Sequence, residues 1–450
     1  EPDNERNDKL IVEHYVKFID SVERGDNSSA KSTLKMHEPD GFIYSLQGLL
    51  TTWKWLLAHG NINNLSKNID LDGGIFSAIY LCQIVSDYLY DENTKVPVEY
   101  ELFRNAAFNS NVNVLSAVAR ASYIYIDFSQ NRSLFNEKEY VDFNKDFKSY
   151  YGYTLKEDIA IILGILSQYV NKATLPIHTS WRANLKEAFS ESILADKAKN
   201  VIESMSTNFS GSNKWAKETL EEPWNFTLFQ KKPLFLLPDG TSFPIAPKLL
   251  YEKFFNSLFH KIRNIYPDEN TNFQRFFGRP FEIYVSMEMK EAIKTSNRKY
   301  KFIPEFAFGK DNSKKSPDVM LKLGNKLLAI EAKSMRIKLE LLIGNNYKSM
   351  DDELNRMIID PIKQLDSCLS KLLLESNNKI DLSDITEVYL MVVTMGEFPT
   401  LPTIEERINE ILKGKLNALV KSVFHLDIEE YEYFCYLISR KKGKSIFRIL

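Results

Sequence analysis

Cysteine is scarce in this 450-residue chain. Cys82, Cys368 and Cys435 are far apart and odd in number, which excludes a disulfide framework and a cysteine-rich zinc site. The six histidines are scattered, with no H-x-x-x-H pair to hold a metal from one helix face. A reducing cytoplasm is the compartment this usage fits. Long apolar runs are missing as well. None approaches the roughly 18 residues of a membrane span, so no transmembrane helix is expected. The opening EPDNERNDKL is acidic and polar, without the basic start and apolar stretch of a secretory leader, and none is expected. No G-x-x-x-x-G-K-[ST] loop occurs, so the chain has no P-loop motor. Nor does a zinc finger, an aromatic RNA-recognition motif or a helix-turn-helix stand out.

What is present is ordinary globular material. Apolar residues make up 44% and charged residues 26%, enough for a large core that needs no disulfide or metal. The length suggests two or three domains. The net charge of −2 hides an asymmetry. Residues 1–226 carry 23 basic and 31 acidic side chains, a net of −8, whereas residues 227–450 carry 35 and 29, a net of +6. The second half is therefore the one expected to meet a polyanion.

Apolar residues recur three and four apart in 10–22, 42–59, 76–90, 112–126 and 155–170, which predicts amphipathic helices. Their aromatics, Trp53, Trp55, Tyr80, Tyr88, Tyr90, Tyr123 and Tyr125, sit at helical spacing and read as core rather than as base-stacking platforms. The pattern changes near residue 223. Two apolar runs flank Pro238-Asp239-Gly240, a turn between strands. Helices follow at 247–265 and from Phe273. Then come strands at 301–308, 317–323, 326–334 and 386–395, a long helix near 350–377, and helices again in the tail. The expected fold class is α/β: a helical domain over 1–225, for recognition or regulation, then an α/β domain over 226–450 with a mixed central sheet.

The stretch Ser316-Pro317-Asp318-Val319-Met320-Leu321-Lys322-Leu323-Gly324-Asn325-Lys326-Leu327-Leu328-Ala329-Ile330-Glu331-Ala332-Lys333 carries the chemistry. Gly324-Asn325 suits a two-residue hairpin turn, with glycine supplying the positive φ of a type II′ turn. Leu323 then faces Lys326, and Asp318 faces Glu331 on the same side of the sheet. Two carboxylates so close repel each other. The strand is apolar on both faces up to Glu331, as in a strand buried on both sides. Charge there needs a partner or a metal. Oxygen ligands of this kind suit Mg²⁺ or Mn²⁺. Lys333, two residues past Glu331, projects to the same face. A metal beside a lysine is suited to hydrolysing a phosphodiester.

Pro317-Asp318, a spacer and Glu331-Ala332-Lys333 resemble the PD-(D/E)XK motif of the restriction-endonuclease-like nucleases, over roughly residues 270–395. The resemblance implies a Mg²⁺-dependent nuclease, with a DNA endonuclease of bacterial restriction or phage defence as the nearest analogue. It implies a further acidic ligand on the preceding helix, where Glu282 matches in Gly278-Arg279-Pro280-Phe281-Glu282. It also implies a glutamine on the following helix, where Gln364 matches. The tyrosine that usually stands four residues later is replaced by Cys368, a departure from the RecB-like branch. The lysines Lys310, Lys314 and Lys315 run into the hairpin and are candidates for phosphate contacts, their other reading being a solvated loop. The expected partner is nucleic acid, DNA rather than RNA. A homodimer and a protein bound through the helical half are further expectations, and no membrane is expected. The rival reading is a nucleic-acid-binding or assembly module on the same fold, or an RNase.

Overall fold

The computed structural model describes residues 46–60, 97–110, 112–170, 182–267, 269–344, 347–374, 380–440 and 444–450. The expected helices at 10–22 and 76–90, with Tyr80, Tyr88, Tyr90 and Cys82, lie outside them. The chain forms two compact units, and one division between them falls at 228/229, beside the boundary expected at 225, while 96–206 groups with the second half. One unit contains 207–228 together with residues preceding 96; the other contains 96–206 and 229–450. The physical reason is a shared core. Ala121, Ile124, Tyr125, Phe147, Ile161 and Ile165 from the helical half pack in one apolar cluster with Phe277, Phe281 and the sheet residues Leu328 and Ile330. Helical periodicity shows that a face is buried without showing what buries it.

In the first unit the helix Leu46–His59 lies along Phe209–Glu218. Lys54 is fully buried, and its Nζ donates to the backbone oxygens of Glu222 (2.8 Å) and Asn225 (3.3 Å) while lying over the Trp215 ring.

In the second unit, the apolar runs around Pro238-Asp239-Gly240 pair as the expected hairpin, Leu234–Leu236 with Ser242–Pro244. The 247–265 helix is broken into Pro247–Tyr251 and Asn256–Arg263. A long helix, Thr271–Thr295 (α1), carries Pro280 within it. After it come Lys301–Pro304 (β1), Ala307–Phe308 (β2), Lys314–Lys315 (β3), Val319–Leu323 (β4) and Lys326–Lys333 (β5). A helical stretch from Ser349 contains one wide π turn, Asn355–Ile359, and continues as Asp360–Leu374 (α2). Glu387–Thr394 (β6) follows, then the helix Pro402–Leu412. Val420–Asp427 (β7) and Ile428–Ser439 (α3) complete the set. β7 was not expected, since the tail reads as helical. It is a half-buried strand whose burial does not alternate cleanly.

The main sheet is mixed, in the order β7-β6-β5-β4-β1. β5 is antiparallel to β4 and parallel to β6, and β6 is parallel to β7. Alternation along the strands sorts the side chains onto two faces. Val319, Leu321, Leu328 and Ile330 join the cluster that holds α1 and α3, whereas Met320, Leu327 and Ala329 join the cluster that holds α2. By the same alternation Asp318, Glu331 and Lys333 belong to the α2 face. Among the described residues no helix is long and apolar enough to cross a membrane.

The far strand pair carries a pH-sensitive contact. Thr394 Oγ1 donates to the Gly396 oxygen (2.7 Å), so toward His425 Nε2 (2.9 Å) it accepts, which fixes the neutral Nε2–H tautomer. Nδ1 is shut from solvent with no partner. Burial lowers the His425 pKa to about 4. Between pH 6.5 and 4 the unfolded chain takes up this proton and the folded one does not, so His425 contributes stability that is lost as pH falls through that window. A series of denaturant melts from pH 7 to 4 should show this decline, and His425→Gln should make it shallower.

Candidate active site

The hairpin that builds the site has the register read from the sequence. Leu323 pairs with Lys326, Leu321 with Leu328 and Val319 with Ile330. One step further, Asp318 stands opposite Glu331. Gly324 takes φ +57° at the turn, and Asn325 does not enter positive φ. That is the backbone of a II′ turn.

Asp318 lies just before β4, and its Oδ2 accepts from the Ala332 N–H across the hairpin (2.8 Å). Glu331 and Lys333 share a face of β5, where the lysine Nζ donates to Glu331 Oε1 (2.8 Å). Both are largely buried, with side chains 17% and 21% exposed. Glu282 comes from α1, whose backbone approaches the end of β5 at Gly278: a Cβ there would stand 3.4 Å from Ser334 Oγ and 3.7 Å from Glu282 Oε1. Arg279, one turn earlier, donates to Glu282 Oε2 and lies 3.8 Å from Glu305. Glu305 was not foreseen. It follows β1, and its N–H donates to the Asp318 carbonyl (3.1 Å), which brings a fourth carboxylate to the cluster. Only the pairing of β1 with β4 places it there, and that pairing joins strands with no tight turn between them.

The charges of the cluster do not balance. Glu331 has Lys333, Glu282 has Arg279 and Glu305 has Lys315 (3.1 Å). Among the described residues Asp318 has no basic partner. Burial, with Glu331 and Glu282 nearby, holds its carboxyl well above the usual carboxylate range. Burial also raises Glu282, against the pull of Arg279. These are the electrostatics of a site short of positive charge. Asp318 Oδ1, Glu331 Oε2 and Glu282 Oε1 are the carboxylate oxygens not engaged by those neighbours, and hard oxygens are the donors that Mg²⁺ or Mn²⁺ takes. The donor set thus fits such an ion in kind and charge. In the present arrangement, however, no three acidic, histidine or cysteine groups among the described residues converge on a common point. Glu282 and Glu331 are instead closed onto their basic neighbours.

Gln364, on α2, shares with Lys333 an open cleft of about 430 Å³. Cys368, one turn further, has its thiol 3.1 Å from the Lys315 oxygen. Burial, with Glu331 and Asp318 nearby, pushes that thiol up to about 11, so it stays protonated. Of the three loop lysines, Lys315 reaches the cluster through Glu305. Lys314 pairs opposite Phe308 and lies over its ring, and Lys310 is exposed on a tight turn whose Asp311 and Asn312 take positive φ. Arg356, absent from the sequence reading, also lines the cleft.

No family model, no curated protein and no solved structure matches the chain.

In metal-free buffer at neutral pH, Asp318→Asn should melt a few degrees above the wild type. The amide keeps an acceptor for the Ala332 N–H and removes one of the crowded charges. An unchanged or lowered melting temperature would contradict this account of the electrostatics.

Proposed function

We propose that this chain is a Mg²⁺- or Mn²⁺-dependent nuclease that hydrolyses phosphodiester bonds, with DNA preferred to RNA and internal cleavage as its mode. The observation that carries the reading is the gathering of Asp318, Glu331 and Lys333 on one sheet face, with Glu282 arriving from α1. The order of α1, β1, the β4–β5 hairpin, α2 and β6 supports membership of the restriction-endonuclease-like superfamily. A bound divalent cation supplies Lewis acidity and a more acidic water. Asp318 and Glu331 would hold it through their outer oxygens, and Glu282 would assist after leaving Arg279. Lys333, steadied by Glu331, aims an ammonium at the phosphate, where it stabilises negative charge as the phosphorane forms or orients the attacking water. Lys310, Lys314 and Lys315 add sequence-independent attraction for the strand. Gln364 contacts the nucleotide beside the scissile bond. The setting we infer is the cytoplasm of a bacterium, in restriction or phage defence, with a second copy or a protein partner recruited by the helical parts. That context rests on analogy of fold.

One observation favours a second reading, a binding or assembly module without catalysis: Glu282 and Glu331 are both closed onto basic partners. The two separate on metal and on cutting. Calorimetry should detect Mg²⁺ or Mn²⁺ binding to the wild type and not to Asp318→Ala. On a panel of plasmid, linear DNA, single-stranded DNA and RNA, the wild type should cut with metal, and Lys333→Ala should lower the rate at least about a hundredfold. No cleavage of any substrate, with Lys333→Ala behaving identically, would sink the nuclease reading.

A further inference from the structure

We propose that the cleft beside Lys333 is a nucleotide subsite, in which Arg356 grips the backbone phosphate next to the scissile one. This deepens the nuclease reading and rests on it. Lys333, Asn355, Arg356 and Gln364 are the cationic and amide groups of the cleft, and Met335 and Pro361 add apolar surface. Its volume of about 430 Å³ lies within the range of small-molecule sites.

Arg356 is built to present a charge. Its Nε donates to Glu353 Oε1 (3.2 Å), and its Nη2 donates to Glu353 Oε2 and to the Arg336 oxygen (2.6 Å). Glu353 is buried, with its side chain 3% exposed, whereas the Arg356 side chain is 31% exposed. The fork is thus anchored from behind on two sides, and Nη1 has no partner among the described residues. A guanidinium oriented in this way is preorganised for phosphate oxygens. It sits in the wide π turn Asn355–Ile359, which sets Asn355 and Arg356 into the cleft wall, and such turns are frequent at functional sites.

Asp352 and Asp360 also line the cleft and are exposed. They stand four residues before and after Arg356 on the same helical stretch, so an exposed carboxylate flanks the guanidinium on each side. Carboxylates repel a bare anion but accept from sugar hydroxyls or the amino groups of a base. A nucleotide brings such donors beside its phosphate, and a free anion does not.

The test uses the full chain and labelled oligonucleotides, with DNA and RNA as separate arms. Arg356→Gln alone would leave the buried Glu353 with Lys338 (3.5 Å) and without its closer partner, so the main variant is Glu353→Gln with Arg356→Gln, and Arg356→Lys is its companion. Equal melting curves establish that the double variant folds. Binding is followed by fluorescence anisotropy in chelator, from roughly 50 to 200 mM salt. The double variant should bind about tenfold more weakly. Its slope of log affinity against log salt should fall by about one, the signature of one lost phosphate contact. Arg356→Lys should lose affinity to a smaller degree. With metal present, KM should rise more than kcat falls. A wild type that binds and cuts while the folded double variant keeps its affinity and slope overturns the subsite alone. A wild type that binds no strand overturns the subsite and the nuclease reading together.

Discussion

The register of the β4–β5 hairpin governs everything built around it. Side chains alternate across a sheet, so a slip of one residue would send Asp318 to the face opposite Glu331 and Lys333. Two features prevent the slip. Gly324 takes the positive φ that a two-residue turn requires. Both faces of β5 are also buried: Leu328 and Ile330 on one side, Leu327 and Ala329 on the other. A displaced strand would have to bury Lys322 or Glu331 in place of leucine. The apolar core and the polar cluster are thus two consequences of one pairing.

The cluster sits where that core ends. Four carboxylates, Asp318, Glu331, Glu282 and Glu305, share three cations, Lys333, Arg279 and Lys315. The shortfall falls on Asp318, whose side-chain Oδ2 and backbone carbonyl are each bound across the sheet, to Ala332 and Glu305. Stability alone would not select a crowded acid at this position. The cation site we propose would use one.

What could be read from the sequence was what is local. The turn, the pairing of the two strands and the facing of Asp318 and Glu331 follow from eighteen contiguous residues, although the first strand starts at Val319 rather than at 317. The helix at 155–170 was legible from its spacing alone, and Tyr125 is core as its spacing implied. What was missed depends on pairing between distant segments. Glu305 enters through β1, and Arg356 enters through a π turn that no spacing rule announces. The edge strand β7 was hidden because it is half-buried and alternates poorly. The boundary at 225 was drawn where composition changes, yet the helices on either side of that change share one core. Tyr123, grouped with the core aromatics, is 42% exposed.

The division of the chain bears on how it can be assembled. The larger unit draws on 96–206 and on 229–450, with 207–228 assigned elsewhere. Helices carrying Ile124, Phe147 and Ile165 are therefore synthesised long before the strands that will cover them. Contacts between segments so distant in the chain close slowly, because loop entropy is lost before contacts form. During that interval the early helices expose apolar surface, the condition in which chains of this size rely on chaperones or aggregate. A fragment starting at 229 would contain every candidate site residue and still lack the helices of 96–206 that share the core on the other face of the sheet.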